Sequence, residues 1–134
     1  MPLYPYLDEE MVLRSCTLKL LRLNTTSIPL KNLRIQHCTG LMNLSGVFQH
    51  LSSLECLTIE NCDNISLDGE RNALEGLKSL RFLTLKGIGD LRSLSFGDGV
   101  TTLEKLTLED CHELTSISDI GKLTSLKELT LSRC

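Results

Sequence analysis

Leucine recurs along this chain in a nine-place frame, L-x-x-L-x-L/I-x-x-C. The frame stands at Leu30, Leu33, Ile35, Cys38 and again at Leu54, Leu57, Ile59, Cys62. It returns at Leu80, Leu83, Leu85 with Ile88 in the ninth place, at Leu103, Leu106, Leu108, Cys111, and at Leu126, Leu129, Leu131, Cys134. Five copies exceed chance. Upstream of Cys16, Met11 and Leu13 take the second and third apolar places of an earlier, degenerate copy whose first place is Asp8, beside Leu7. The starts at 8, 30, 54, 80, 103 and 126 are 22, 24, 26, 23 and 23 residues apart, the period of a solenoid coil. A competing frame, Leu18, Leu21, Leu23, begins only twelve residues before Leu30, too few for a coil, and is assigned to the return path of the first unit.

The spacing dictates the shape of one coil. Side chains on a short strand alternate inward and outward, and strands of successive coils stack about 4.8 Å apart as a parallel sheet. After each strand, apolar residues continue three apart, as Leu41 and Leu44, Leu91 and Leu94, and Leu114 and Ile117 do. The return path supplies Leu51, Leu77, Val100 and Leu123 three residues before the next frame, with Phe48, Leu74, Phe96 and Ile120 further upstream. Short helical turns on the convex side suit them, and residues 69–75 are the strongest helix candidate. The expected fold is an α/β solenoid of leucine-rich repeats over 1–134, with a parallel sheet on the concave face and short helical or irregular convex segments. Such arrays need polar caps. None is visible at either end, so the chain is expected to be a piece of a longer array with open sheet edges.

Composition narrows the function. The chain has 134 residues, 41% hydrophobic and 23% charged, enough to bury one core. Only 4% is aromatic, so that core must be aliphatic layers. A formal charge of −3 supplies no field for phosphate neutralisation, which argues against nucleic acid. No apolar run approaches the roughly 20 residues that a bilayer demands. Met1 to Glu10 carries two prolines and ends in three acids, unlike a secretory signal, so a cytoplasmic location is expected. Three sequons, at Asn24, Asn43 and Asn64, are the one feature favouring a secreted chain, and chance accounts for them in loops this rich in Asn, Ser and Thr.

Candidate chemistry reduces to scaffold at most positions. Cys16, Cys38, Cys62, Cys111 and Cys134 all hold the ninth place, where a small side chain with a weak donor can satisfy loop carbonyls. No C-x-x-C spacing suggests zinc, and only Cys56 stands outside the ladder, on the exposed strand face. His37, His50 and His112 are scattered and match no nucleophile motif. Gly121-Lys122 is no phosphate loop, because Ser116 stands where the first glycine belongs and Leu123 where Ser or Thr should follow. The chain is therefore expected to be no enzyme and to need no metal or cofactor. On the outward face, the second place reads Glu9, Lys31, Glu55, Arg81, Glu104, Lys127, charges that alternate down the stack and support the sheet. The fifth place reads Val12, Arg34, Thr58, Thr84, Thr107, Thr130, also mostly scaffold. The irregular residues are the candidates for binding a protein partner: Arg34, His37, Glu60, Arg81, Phe82, Lys86, Glu109 and Asp110. Phe82 is the outlier, an aromatic aimed at solvent, and Arg is the other type enriched at binding hot spots.

The phrases LKNLRIQHCTGLMNL, LECLTIENCDNI, LEKLTLEDCHELTSI and LKELTLSRC resemble the C-terminal repeats of plant nucleotide-binding leucine-rich-repeat disease resistance proteins. MPLYPYLDEEMVL is similar to a proline-containing lead-in of their coiled-coil class, and the likeness spans nearly the whole chain. It departs from the pattern at Asp8 and Ile88. The resemblance implies a region that senses pathogen effectors or modified host proteins and helps hold a receptor inactive. The coiled-coil and nucleotide-binding domains of that family have no counterpart here. Two rivals fit less well. Ubiquitin-ligase substrate adaptors carry Cys at the same place but continue with an Ile-Thr-Asp-like segment, where this chain has Thr-Gly-Leu, Asp-Asn-Ile and His-Glu-Leu. Cell-surface receptor ectodomains carry Asn there and a Gly-x-Ile-Pro turn, and neither occurs.

Overall fold

A computed structural model describes residues 10–14, 30–38, 48, 51–62, 74, 76–96 and 100–134. The architecture is a parallel-stranded β-solenoid. Six five-residue strands, β1 (Glu10–Arg14), β2 (Asn32–Gln36), β3 (Cys56–Glu60), β4 (Phe82–Lys86), β6 (Lys105–Glu109) and β8 (Glu128–Ser132), form one sheet in the order β1-β2-β3-β4-β6-β8. Two three-residue strands, β5 (Ser93–Ser95) and β7 (Ser116–Ser118), pair in parallel as a second, smaller sheet. The register never slips. Met11, Leu33, Leu57, Leu83, Leu106 and Leu129 follow one another across the large sheet, and Leu13, Ile35, Ile59, Leu85, Leu108 and Leu131 form the adjacent row.

This register follows from burial with a period of two. In β2, β3, β4 and β6 the fourth and sixth places of the frame are buried while the residues around them are not. A slip of one residue would turn every leucine outward, so the pattern pins each strand to its neighbour. The core is continuous from Leu30 to Leu123, and no polar or charged residue is buried among the described residues. Phe48 and Phe96, fully buried, are its largest side chains.

The return path explains the three-residue spacing. Leu51 N–H donates to the Phe48 carbonyl and Leu54 N–H to that of Leu51; Leu77 and Leu80 repeat the pattern from Leu74, and Leu123 and Leu126 from Ile120. Bonds from residue i+3 to residue i stack side chains three apart on one side, so each turn aims its apolar residues toward the core. A true α-helix would rotate these residues off the core. The expected helical turns are accordingly sparse. Among the described residues, helical conformation occurs at Phe48 and in the 3-10 turn Ile120–Lys122. Most of the helix candidate at 69–75 lies outside the described residues, as do Asp8, Cys16, the Leu18-Leu21-Leu23 frame, Leu41, Leu44 and the three sequons; Leu74 itself stands in a turn.

The ninth place closes each coil. Cys38, Cys62 and Cys111 are buried free thiols, and Ile88 fills the same place fully buried. Each thiol donates to the carbonyl two residues before it: Cys38 to Gln36 at 3.3 Å, Cys62 to Glu60 at 3.2 Å, Cys111 to Glu109 at 3.4 Å, and the exposed Cys134 to Ser132 at 3.5 Å. The Cys62 sulfur also accepts the Cys38 N–H at 3.4 Å. Cysteine therefore joins neighbouring coils as a small apolar residue with one weak donor and one weak acceptor. Burial pushes the Cys111 thiol up, which keeps it protonated and able to donate.

The last coil departs from the periodic expectation. Ile120, Leu129 and Leu131 hold apolar places of the repeat, yet they are 38%, 42% and 53% exposed. Their counterparts at Leu106 and Leu108 are buried because the β8 coil covers them, whereas no further coil stands against β8 in this structure.

Candidate functional site

The outward face of the large sheet carries three columns. The third place reads Asn32, Cys56, Phe82, Lys105, Glu128 from β2 to β8; the fifth reads Arg34, Thr58, Thr84, Thr107, Thr130; the seventh reads Gln36, Glu60, Lys86, Glu109, Ser132. All are exposed or half-buried. A ladder irregularity adds a fourth column at the second place. The Lys31 carbonyl accepts N–H bonds from both Glu55 and Cys56, at 2.8 and 3.0 Å, and the Glu55, Arg81 and Glu104 carbonyls do the same in later coils. Sharing one acceptor between two donors kinks the chain as it enters the sheet, so consecutive second and third residues both stay outside the core.

The eight sequence candidates fall into two patches. Arg34, His37 and Glu60 lie together: the Arg34 guanidinium is 3.7 Å from the Glu60 carboxylate, Gln36 donates to the same carboxylate at 3.0 Å, and the His37 N–H donates to the Glu60 carbonyl at 3.0 Å. Glu60 and Lys86 are cross-strand partners, Lys86 pairs with Glu109 at 3.9 Å, and Asp110 meets Arg133 at 3.3 Å. These residues trace the rim where the strands end. Arg81 and Phe82 sit at the opposite end of β4, on the far side of the threonine column. Phe82 is 37% exposed, and the Arg81 guanidinium carbon stands 5.1 Å from its ring centroid, within range of a cation–π contact.

Electrostatics are most developed around Arg81. Its guanidinium lies 2.6 Å from Glu104 and 3.7 Å from Glu55, while Lys127 approaches Glu104 at 3.5 Å. The hydrogen bond from Arg81, reinforced by the charges of Arg81 and Lys127, holds the Glu104 carboxyl below the usual carboxylate range against the opposing effect of desolvation. The same bond raises Arg81. The pairs are exposed, so they order the surface more than they stabilise the fold.

Sequence reasoning passed over the residues just before each frame. Ser53, Ser79, Thr102 and Ser125 stand one place ahead of their coils and line a groove with Lys78 and the second-place column. Singly they look like ordinary loop residues; their recurrence in phase with the leucines was the available signal. Among the described residues, no group of three or more His, Cys, Asp or Glu side chains is placed to hold a metal ion, and no helix is long and apolar enough to cross a membrane. Compared with known proteins, the chain matches no family model and no curated protein sequence.

Proposed function

We propose that this chain is a leucine-rich-repeat module that binds protein, serving as an effector-sensing or autoinhibitory region of an intracellular, cytoplasmic plant immune receptor. The receptor assignment rests on the resemblance of its Leu and Cys phrases to the repeats of disease resistance proteins. The binding assignment rests on one observation about the third-place column. The inward rows repeat leucine or isoleucine in coil after coil, whereas Asn32, Cys56, Phe82, Lys105 and Glu128 differ at every step. Scaffold needs repetition; a surface that distinguishes one partner needs variety. Phe82, backed by Arg81, is the aromatic anchor of that face, and such anchors with a neighbouring arginine dominate binding energy in protein interfaces. The partner is a pathogen effector, a modified host protein or an adjacent receptor domain, with no nucleic acid or lipid involved.

The test uses a partner recovered with the wild-type chain as bait. Phe82→Ala combined with Arg34→Ala is expected to weaken that interaction at least about tenfold, the effect of losing one hot-spot residue. Circular dichroism should be unchanged, because both side chains lie outside the core. Full binding by the double variant would move the interface off this face.

A further inference from the structure

Along the rim where the chain enters the large sheet, the second-place side chains and the residues just ahead of each frame enclose a shallow groove of about 830 Å³. Its charges are unequal. Lys31, Lys78, Arg81 and Lys127 face only Glu55 and Glu104, a surplus of two positive charges on a chain of net charge −3. Both acids are already engaged, by Arg81 and, for Glu104, also by Lys127. The exposed Lys31 and Lys78 side chains meet no carboxylate among the described residues. The hydroxyls of Ser53, Ser79 and Ser125 line the same groove with no side-chain hydrogen bond among the described residues. That of Thr102 is taken by the Leu80 carbonyl at 2.7 Å.

We propose that this groove docks an extended acidic segment of a partner protein, with its carboxylates on Lys31 and Lys78 and its backbone carbonyls on the serine hydroxyls. The length of the groove and the spread of its cations, from Lys31 to Lys127, favour a chain that follows it. Lys31 follows Leu30 and Lys78 stands just ahead of the frame at Leu80, two stacking steps or at least about 10 Å along the groove. An extended chain covers that distance in about three residues, and the groove from Lys31 to Lys127 in about six. A surplus of two charges also falls short of the several phosphate contacts on which nucleic-acid affinity is built. Phe82 does not line the groove, although Arg81, which backs its ring, does; the groove therefore adds a second contact beside the one proposed above and does not depend on the Phe82 side chain.

The probe is a fluorescently labelled extended peptide with glutamate at every third position, separated by serine and glycine. Its anisotropy is followed at low salt and at about 0.15 M ionic strength, where screening sets in within about 8 Å. The wild-type chain is expected to bind it, less tightly at the higher salt. Lys31→Glu with Lys78→Glu should reduce affinity at least about tenfold, about 1.4 kcal/mol. Lys31→Arg with Lys78→Arg should retain binding, and so should Phe82→Ala. Absence of binding by the wild-type chain overturns the proposal, as does equal binding of a peptide with glutamine in place of glutamate. Full binding by a folded double-Glu variant, or displacement of the peptide by millimolar inorganic phosphate, would also overturn it. Loss of binding on Phe82→Ala would assign the peptide to the outward sheet face instead.

Discussion

His37, Asn61, Gly87, Asp110 and Arg133 occupy the eighth place of successive coils, and all five have φ between 52° and 66°. The reason is local. The sixth and ninth places both point inward, so the two residues between them must turn the chain back toward the core, and one left-handed residue makes that reversal. For an ordinary L-residue this region costs roughly 1–2 kcal/mol, with Asn and Asp less penalised and Gly not at all. His37→Gly is therefore expected to raise the urea midpoint, by a net gain of about 0.5–1 kcal/mol after the added freedom of the unfolded chain is counted. Gly87→Ala should lower it by more than about 1 kcal/mol. There the new methyl group meets the Asn61 carboxamide oxygen as well as an unfavourable φ of 66°. Equal midpoints for His37→Gly and wild type would mean that the imidazole contributes contacts which offset the backbone strain.

At the scale of one strand, position within the stack decides what a leucine is worth. Leu83 and Leu131 both hold inward places, yet Leu83 is 1% exposed and Leu131 53%. Leu83→Asp buries a carboxylate with no partner in a core free of polar groups, a change of more than about 4 kcal/mol that should abolish the folded circular dichroism signal. Leu131→Asp should cost less than about 1 kcal/mol, because that side chain already meets water. A folded Leu83→Asp chain would contradict the frame itself. The same contrast shows where the sequence was legible. The rows from Leu33 to Leu106 and from Ile35 to Leu108 could be read because alternation within a strand and repetition between coils demand the same residues. The cysteine place could be read because its spacing keeps step with the leucines. Exposure of Leu129 and Leu131 fits the open sheet edge expected from the lack of a polar cap, and not the periodicity, which records only what a neighbouring coil would cover. The left-handed column could not be read, because His37 and Arg133 conceal a backbone demand that only Asn61, Gly87 and Asp110 suggest. On the outward face the sequence marked Phe82 and Arg81 as separate candidates, but the ladder kink that brings both outside the core depends on their shared acceptor, the Glu55 carbonyl of the preceding coil.

Across the whole molecule, each coil touches only its neighbours, so stability is a sum of coil and interface terms. The charged second-place column crosses those interfaces: Arg81 links the β3 and β6 coils through Glu55 and Glu104, and Lys127 extends the link to the β8 coil. Glu104 is its hub, and its folded carboxyl is held below the usual range chiefly by the Arg81 hydrogen bond. The unfolded chain therefore takes up its proton first as pH falls. The stabilisation from Glu104 is complete above the unfolded value of about 4.3 and is lost as pH drops through the folded one. Replacing Glu104 with glutamine keeps the shape and removes the charge, so the melting temperature of the wild type should exceed that of Glu104→Gln at pH 7. The gap should close at strongly acid pH, where both side chains are neutral. It should also narrow in about 1 M salt, where the screening length falls to about 3 Å and the exposed partners feel each other less. A gap that persisted unchanged in acid would place the contribution of Glu104 in packing against the rim, leaving the alternating column without an electrostatic part in joining the coils.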